Sequence, residues 1–186
     1  MPGSDVESFR FLYEANYEQI AAYVLRRAAS PEDASDAVSE TFLTAWRRLD
    51  ALPMGEEATM WLYATARRVL GNQRRSIERR RRLRDRISQQ PAFESADQTD
   101  AGIAADAFSR LRADDQELLA LIAWDGLTHS QLGAVFGCSE NAAKLRASRA
   151  RQRFASEIAA LSTGLTTTNE IAPRPECATQ TGEAND

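Results

Sequence analysis

The chemistry this chain of 186 residues is equipped for is the holding of phosphate. Of its 23 basic residues 22 are arginine, and Lys144 is the only lysine. A guanidinium fork meets a phosphate through two parallel donors, where an ammonium offers a point charge. Placement adds to this. Ten arginines lie between Arg67 and Arg86 against Glu78 and Asp85, a local charge of +8, and five bases with no acid lie between Asn141 and Phe154, a local +5. The net charge of the whole chain is −4. Two basic clusters in an otherwise acidic protein have the pattern of two polyanion footprints, and the acidic remainder limits indiscriminate sticking to nucleic acid. Other chemistries lack their parts. His129 is the only histidine, Cys138 and Cys177 have no metal-ligand spacing, and there is no glycine-rich phosphate loop. The acid pairs Glu56-Glu57 and Asp114-Asp115 suit helix starts better than a catalytic dyad. Neither an enzyme nor a metal or cofactor site is expected.

Each cluster has a context that sharpens it. Thr128 to Phe136, a turn at Gly137-Cys138 and a helix capped by Ser139 have the spacing of a helix-turn-helix, locked by Leu127, Leu132, Val135, Phe136 and Ala143. Its second helix displays Asn141, Lys144, Arg146, Arg149 and Arg151 behind Ser139, with base-edge readers near its N-terminus and cations that reach phosphate. In the other cluster, Trp61, Tyr63, Arg67, Arg68, Asn72, Arg74 and Arg75 combine aromatic faces, an amide and guanidinium groups, as recognition of single-stranded or flipped bases needs.

The elements that must position these residues are helices. Phe9, Leu12, Tyr13, Tyr17, Ile20, Ala21 and Val24 recur at three- and four-residue spacing and predict a helix over about 5–28. Ser30-Pro31-Glu32-Asp33 supplies a cap, a first-turn proline and acids for the helix dipole, and opens a second helix over about 31–49. Its apolar side includes Phe42 and Trp46. After a break at Asp50–Glu56, a third periodic stretch through Trp61, Leu62, Ala66, Val69, Leu70, Gln73 and Ile77 runs into the arginines. Ser88 to Ala105 reads as an acidic linker, two short helices follow over 107–111 and 114–124, and Gly126 closes the second. The last helix is expected to run to about Leu161, and Ser162–Asp186 to be disordered. The fold class is therefore all-α: two small helical domains, 1–87 and 106–161, joined by a flexible linker, 88–105, the second being a helix-turn-helix domain, with a tail over 162–186. No apolar run approaches the roughly 20 residues that span a bilayer. Met1–Glu7 carries two acids and no base, so no secretory signal is readable and a cytoplasmic protein with reduced cysteines is expected.

These residues resemble the extracytoplasmic-function group of the sigma-70 family of bacterial RNA polymerase initiation factors. Glu32 to Arg47 looks like the region 2.2 helix that docks on the coiled coil of the polymerase β′ subunit. Trp61 to Arg68, with Asn72 and Arg74-Arg75, resembles the reader of the −10 promoter element. Leu111, Asp115 to Leu119 and Asp125 to Arg151 resemble region 4, which binds the −35 element. The resemblance covers roughly residues 9–160. It departs from the family at Arg68 and Asn72, where Asn and Asp are common, at Ser39, where Gln is frequent, and at Ala142 to Arg146, where a Thr-Val-Lys-Ser-Arg type sequence is usual. It implies a sigma factor that binds core polymerase through its β′ and β subunits, reads promoter DNA at both elements and helps open it. By the same resemblance, Asp36, Ser39, Glu40, Leu43 and Thr44 would contact polymerase. Trp61, Arg67, Arg68, Asn72, Arg74 and Arg75 would hold the −10 segment. Ser139, Asn141, Lys144, Arg146, Arg149 and Arg151 would bind the −35 segment, and the loop Asp50–Thr59 would capture a flipped base. An anti-sigma factor is the expected regulatory partner. The alternative reading of the same residues is a homodimeric helix-turn-helix regulator that binds operator DNA without polymerase.

Overall fold

A computed structural model of the chain describes residues 2–85 and 100–168. Among the described residues the architecture is wholly helical: α1 (Pro2–Leu25), α2 (Pro31–Trp46), a 3₁₀ turn (Leu49–Ala51), α3 (Glu56–Asp85), α4 (Asp100–Arg110), α5 (Ala113–Ala123), α6 (His129–Phe136) and α7 (Glu140–Thr168). Local chemistry fixes the boundaries. The Ser30 side chain accepts from the Asp33 amide at the start of α2, with Pro31 in the first turn. Thr128 and Gln131 form a reciprocal capping box on α6, and Gly137 ends that helix in the left-handed region at φ 65°. Ser139 Oγ accepts from the Ala142 amide at the start of α7.

Several boundaries differ from the sequence reading: α1 begins and ends three residues earlier than read, and α2 ends at Trp46, three residues short. Helix α4 begins at Asp100, inside the stretch read as linker, and α7 runs to Thr168, inside the stretch read as a disordered tail. Polar and small residues continue α7 without marking a face, whereas α4 does carry an apolar side, of Ile103, Ala107 and Phe108, and the reading began it too late. The rest of the linker, residues 88–99, and residues 169–186 with Cys177 lie outside the described residues.

Helices α1, α2 and α3 bury Ile20, Val24, Ala37, Phe42, Leu62 and Ala66 among themselves. Helices α4 to α7 enclose a smaller centre of Leu118, Ala147 and Ala150. The two halves do not stand apart. Leu121, Leu127, Leu132, Val135 and Ala143 of the second half belong to the same continuous apolar cluster as Ile20, Tyr23 and Leu62 of the first. The stripe on α1 is accordingly divided: Ile20 and Val24 are buried, while Tyr13 and Tyr17 remain exposed beside α2. Trp46, read as part of the buried side of α2, is largely exposed and meets Phe9 edge-on at 5.1 Å. It is the last residue of its helix, with Phe9 of α1 as its ring neighbour.

Candidate nucleic-acid and polymerase interfaces

The helix-turn-helix is built by a close approach. A Cβ placed on Gly133 would lie 2.7 Å from the Cys138 carbonyl oxygen and 3.3 Å from the Glu140 amide, so only glycine lets α6 meet the start of α7. The sequence reading placed its turn glycine at Gly137 and did not single out Gly133. Its signal, a small residue one turn before the helix end, is too common to stand alone. Leu127, Leu132, Val135 and Ala143 are buried, as the motif requires, and Phe136 packs partly buried against them. Cys138 is half-buried in the turn and His129 opens α6.

Burial of Ala143, Ala147 and Ala150 turns α7 so that its basic residues fall on two sides. Asn141, Lys144 and Arg151 share an outward face. Arg146 and Arg149 instead line a cavity of about 370 Å³ with Arg67, Arg153, Phe136 and Asp115. Arg153 is held there by the buried Asp115 carboxylate at 2.8 and 3.1 Å. Ser139 is occupied as the α7 cap. Of the six predicted residues, three thus form an outward face, Arg146 and Arg149 are exposed at the rim of the cavity, and Ser139 is the cap.

On α3, Arg67 is not free. Its Nη2 donates to Asp114 of α5 at 2.8 Å, and its guanidinium lies over the Phe136 ring of α6 at 4.5 Å from the centroid. Arg74 donates to the Arg27 carbonyl, and Arg75 donates to Asn72. Arg68 is exposed. Trp61 packs half-buried against the core, and Tyr63 is fully buried, so Tyr63 presents no stacking face to a base. The Tyr63 hydroxyl has no hydrogen-bond partner among the described residues. Burial, followed by the nearby Asp125 carboxylate, pushes its pKa up to about 12.

Beside it the two halves are joined by charge. Arg27 of α1 donates to Glu117 at 3.0 Å, to Asp125 at 3.0 Å and to the Tyr23 carbonyl at 3.0 Å, and caps the Tyr23 ring at 4.0 Å. Arg26 pairs with Asp125 as well. The Tyr23 hydroxyl donates to Glu117 at 2.6 Å, and its pKa is raised, first by burial and then by that carboxylate. Sequence reasoning missed this cluster, because its members are 90 or more positions apart.

Two further surfaces complete the inventory. On α2, Asp36, Ser39, Glu40 and Leu43 are exposed on one edge with the half-buried Thr44, whose hydroxyl donates to the Glu40 carbonyl. Ser39 and Leu43 of this edge border a groove of about 520 Å³ lined by Phe9, Tyr13, Tyr17, Phe42 and Trp46, aromatic residues the sequence reading assigned to the core. The loop between α2 and α3, turned by Gly55 at φ 61°, closes a cleft of about 690 Å³ with Phe11, Leu12, Met54 and Thr59. Thr59 donates to the buried Asn16 at 2.6 Å, and Asn16 donates to the Leu12 carbonyl, which ties the cleft floor to α1. No helix among the described residues is long and apolar enough to cross a membrane.

Comparisons with known proteins agree with this order of parts. The family described as Sigma-70 region 2 matches residues 12–82, and Sigma-70, region 4 matches residues 102–154. The chain is 30% identical over 146 residues to the ECF RNA polymerase sigma factor SigF of Caulobacter vibrioides, covering 75% of this chain and 79% of that one. It is 27% identical over 147 residues to the ECF RNA polymerase sigma factor SigL of Mycobacterium tuberculosis, covering 74% and 81%. Its fold is similar to that of the sigma factor RpoE of Bartonella quintana, solved in complex with the anti-sigma factor NepR, with a TM-score of 0.56 at 24% identity, covering 82% of this chain and 94% of that one.

Proposed function

The chain belongs to the sigma-70 family, in its extracytoplasmic-function group, and from that premise we propose how its surfaces divide the work of starting transcription. It is an alternative sigma factor that directs RNA polymerase to promoters, and the homodimeric regulator is not favoured. Sigma factors are not enzymes in the catalytic sense, and the work here is recognition. The observation that carries the division of labour is the order of parts: a region 2 match bearing the α2 edge and α3 arginines, then a region 4 match bearing the helix-turn-helix.

Asp36, Ser39, Glu40, Leu43 and Thr44 dock on core polymerase, and the aromatic groove beside them extends that contact. The free face of α7, with Asn141, Lys144 and Arg151, enters the major groove of the −35 element, while Arg146 and Arg149 reach flanking phosphates. Arg67, Arg68, Asn72, Arg74 and Arg75 hold the −10 segment as it opens, and Trp61 supports them from the core side. The cleft between α1 and the Asp50–Gly55 loop, with Thr59 in the first turn of α3 where the sequence reading expected loop, accepts a base flipped from the displaced strand. Unstacking a base costs a few kcal/mol, which binding of the separated strand offsets. A protein anti-sigma factor is the regulatory partner in this reading, and co-purification from cells tests it.

Run-off transcription on fragmented genomic DNA, with bacterial core polymerase alone and with this chain, tests the whole reading. Discrete new start sites that require the chain are expected, preceded by two shared elements. Absence of new starts, together with tight polymerase-free binding to palindromic DNA, would overturn it.

A further inference from the structure

At the point of α7 that faces most directly away from the core stands a leucine. We propose that Leu145 reads the 5-methyl group of a thymine in the −35 element, which makes it a specificity-determining residue of the promoter contact. The inference rests on the reading above that the outward side of α7 enters the major groove.

The position follows from the helix. Leu145 is two positions from the buried Ala143 and two from the buried Ala147, and at about 3.6 residues per turn that sets it on the opposite side of α7. It is 52% exposed and belongs to neither apolar cluster. Asn141, four positions before it, and Ser148 and Gln152, three and seven after it, continue the same line and are exposed as well. Cations flank this line on both sides. Lys144 and Arg151 stand along one, Arg146 and Arg149 along the other, and all four are exposed. The result is a narrow uncharged crest between two rows of positive charge, which is the complement of a groove floor between two phosphate walls.

An exposed leucine elsewhere on the surface would need no explanation. On this crest its chemistry selects a partner. The side chain neither donates nor accepts a hydrogen bond, so against a base-edge donor or acceptor it would displace water without replacing the bond. The apolar substituent that the major-groove floor offers is the thymine 5-methyl group. Asn141, one turn nearer the N-terminus, is of the type that makes a bidentate contact to adenine in the same groove. Hydrogen bonding and methyl contact are thereby divided along one line, within the N-terminal turns of the helix that reach base edges. Leu145 also stands where the Thr-Val-Lys-Ser-Arg type sequence has Ser, so the methyl contact is particular to this chain.

The test uses holoenzyme, formed from core polymerase and the full chain, and a promoter fragment recovered by the run-off experiment. Each thymine of the upstream element is replaced in turn by uracil, which pairs identically and lacks only the methyl group. The unaltered chain should bind one of these fragments about fourfold more weakly than its thymine parent, the worth of one buried methyl-sized group. Leu145→Ser and Leu145→Ala should bind the two fragments equally, with an unchanged melting temperature because Leu145 lies outside both core clusters. Binding by the unaltered chain that is indifferent to every methyl group, a methyl preference that survives in both variants, or an upstream element without thymine would overturn the proposal. Failure of the underlying reading is separately visible: a fragment with its upstream element scrambled would then bind as tightly as the parent, and Lys144→Ala would leave the salt dependence of binding unchanged.

Discussion

The two arginine clusters look alike as sequence and differ in the fold. On α7, Asn141, Lys144 and Arg151 are exposed on one side of the helix beside three buried alanines, and Lys144 and Arg151 have no ion-pair partner among the described residues. On α3, Arg67 is paired with Asp114 and stacked on Phe136, and Arg74 is bound to a carbonyl of α1. Local charge density marks both as polyanion surfaces. Availability is a separate property, set by which acids the chain brings back from distant positions.

The contrast is most sharply tested where the engaged side is held together. Arg27→Met leaves Glu117 without its cation and Asp125 with Arg26 alone, which should cost the closed arrangement about 3 kcal/mol, read as a fall in the denaturation midpoint. An unchanged midpoint would mean that the ion cluster is not what joins the halves. Gly133→Ala attacks the other surface through its scaffold. The added methyl meets backbone at 2.7 Å, and a loss of about 2–3 kcal/mol with failure of −35-dependent transcription is expected. Full activity and stability would show that the turn can relax.

Tyr23→Phe removes the hydroxyl that donates to Glu117 and should cost about 1.5 kcal/mol. It also alters the response to pH. A tyrosine in the unfolded chain titrates near pH 10, and both Tyr23 and Tyr63 are raised above that in the fold. The stability their neutral hydroxyls contribute is fully present below pH 10 and is lost as pH rises through the folded values. Alkaline melts above pH 10 should show the decline, and Tyr23→Phe should make it shallower. The smallest effect belongs to the free face: Lys144→Ala should leave the melting temperature unchanged and lower the salt slope of promoter binding by about 1. A slope that stays put would remove Lys144 from the interface.

How much of this was legible beforehand depends on the range of the interactions. The caps at Ser30, Thr128 and Ser139, the left-handed glycine at Gly137 and the buried stripe of α2 all rest on contacts within one or two helical turns. The paired −10 and −35 candidates were legible because the residue types cluster along the chain. Trp46 was misread because a periodic apolar position at a helix end can meet one ring and still stay exposed, and Tyr63 because an aromatic side chain beside arginines serves a core as readily as a base. Neither Gly133 nor the aromatic groove along Tyr13 and Tyr17 carries a spacing that separates it from ordinary packing.

By itself, then, the sequence determined that the described residues are all helical, where several helices begin, and that two arginine clusters follow one another in the order of sigma regions 2 and 4. Those properties follow from backbone capping, helical periodicity and local charge, each of which acts over a few residues. Tertiary structure alone decided that Arg27 meets Glu117 and Asp125, that Asp114 stands before Arg67, and that the α2 edge of Asp36, Ser39, Glu40 and Leu43 is left exposed. With 27 acids and 23 bases in the chain, charge permits many pairings. Packing of Leu121, Leu127 and Leu132 against Ile20 and Tyr23 selects one of them.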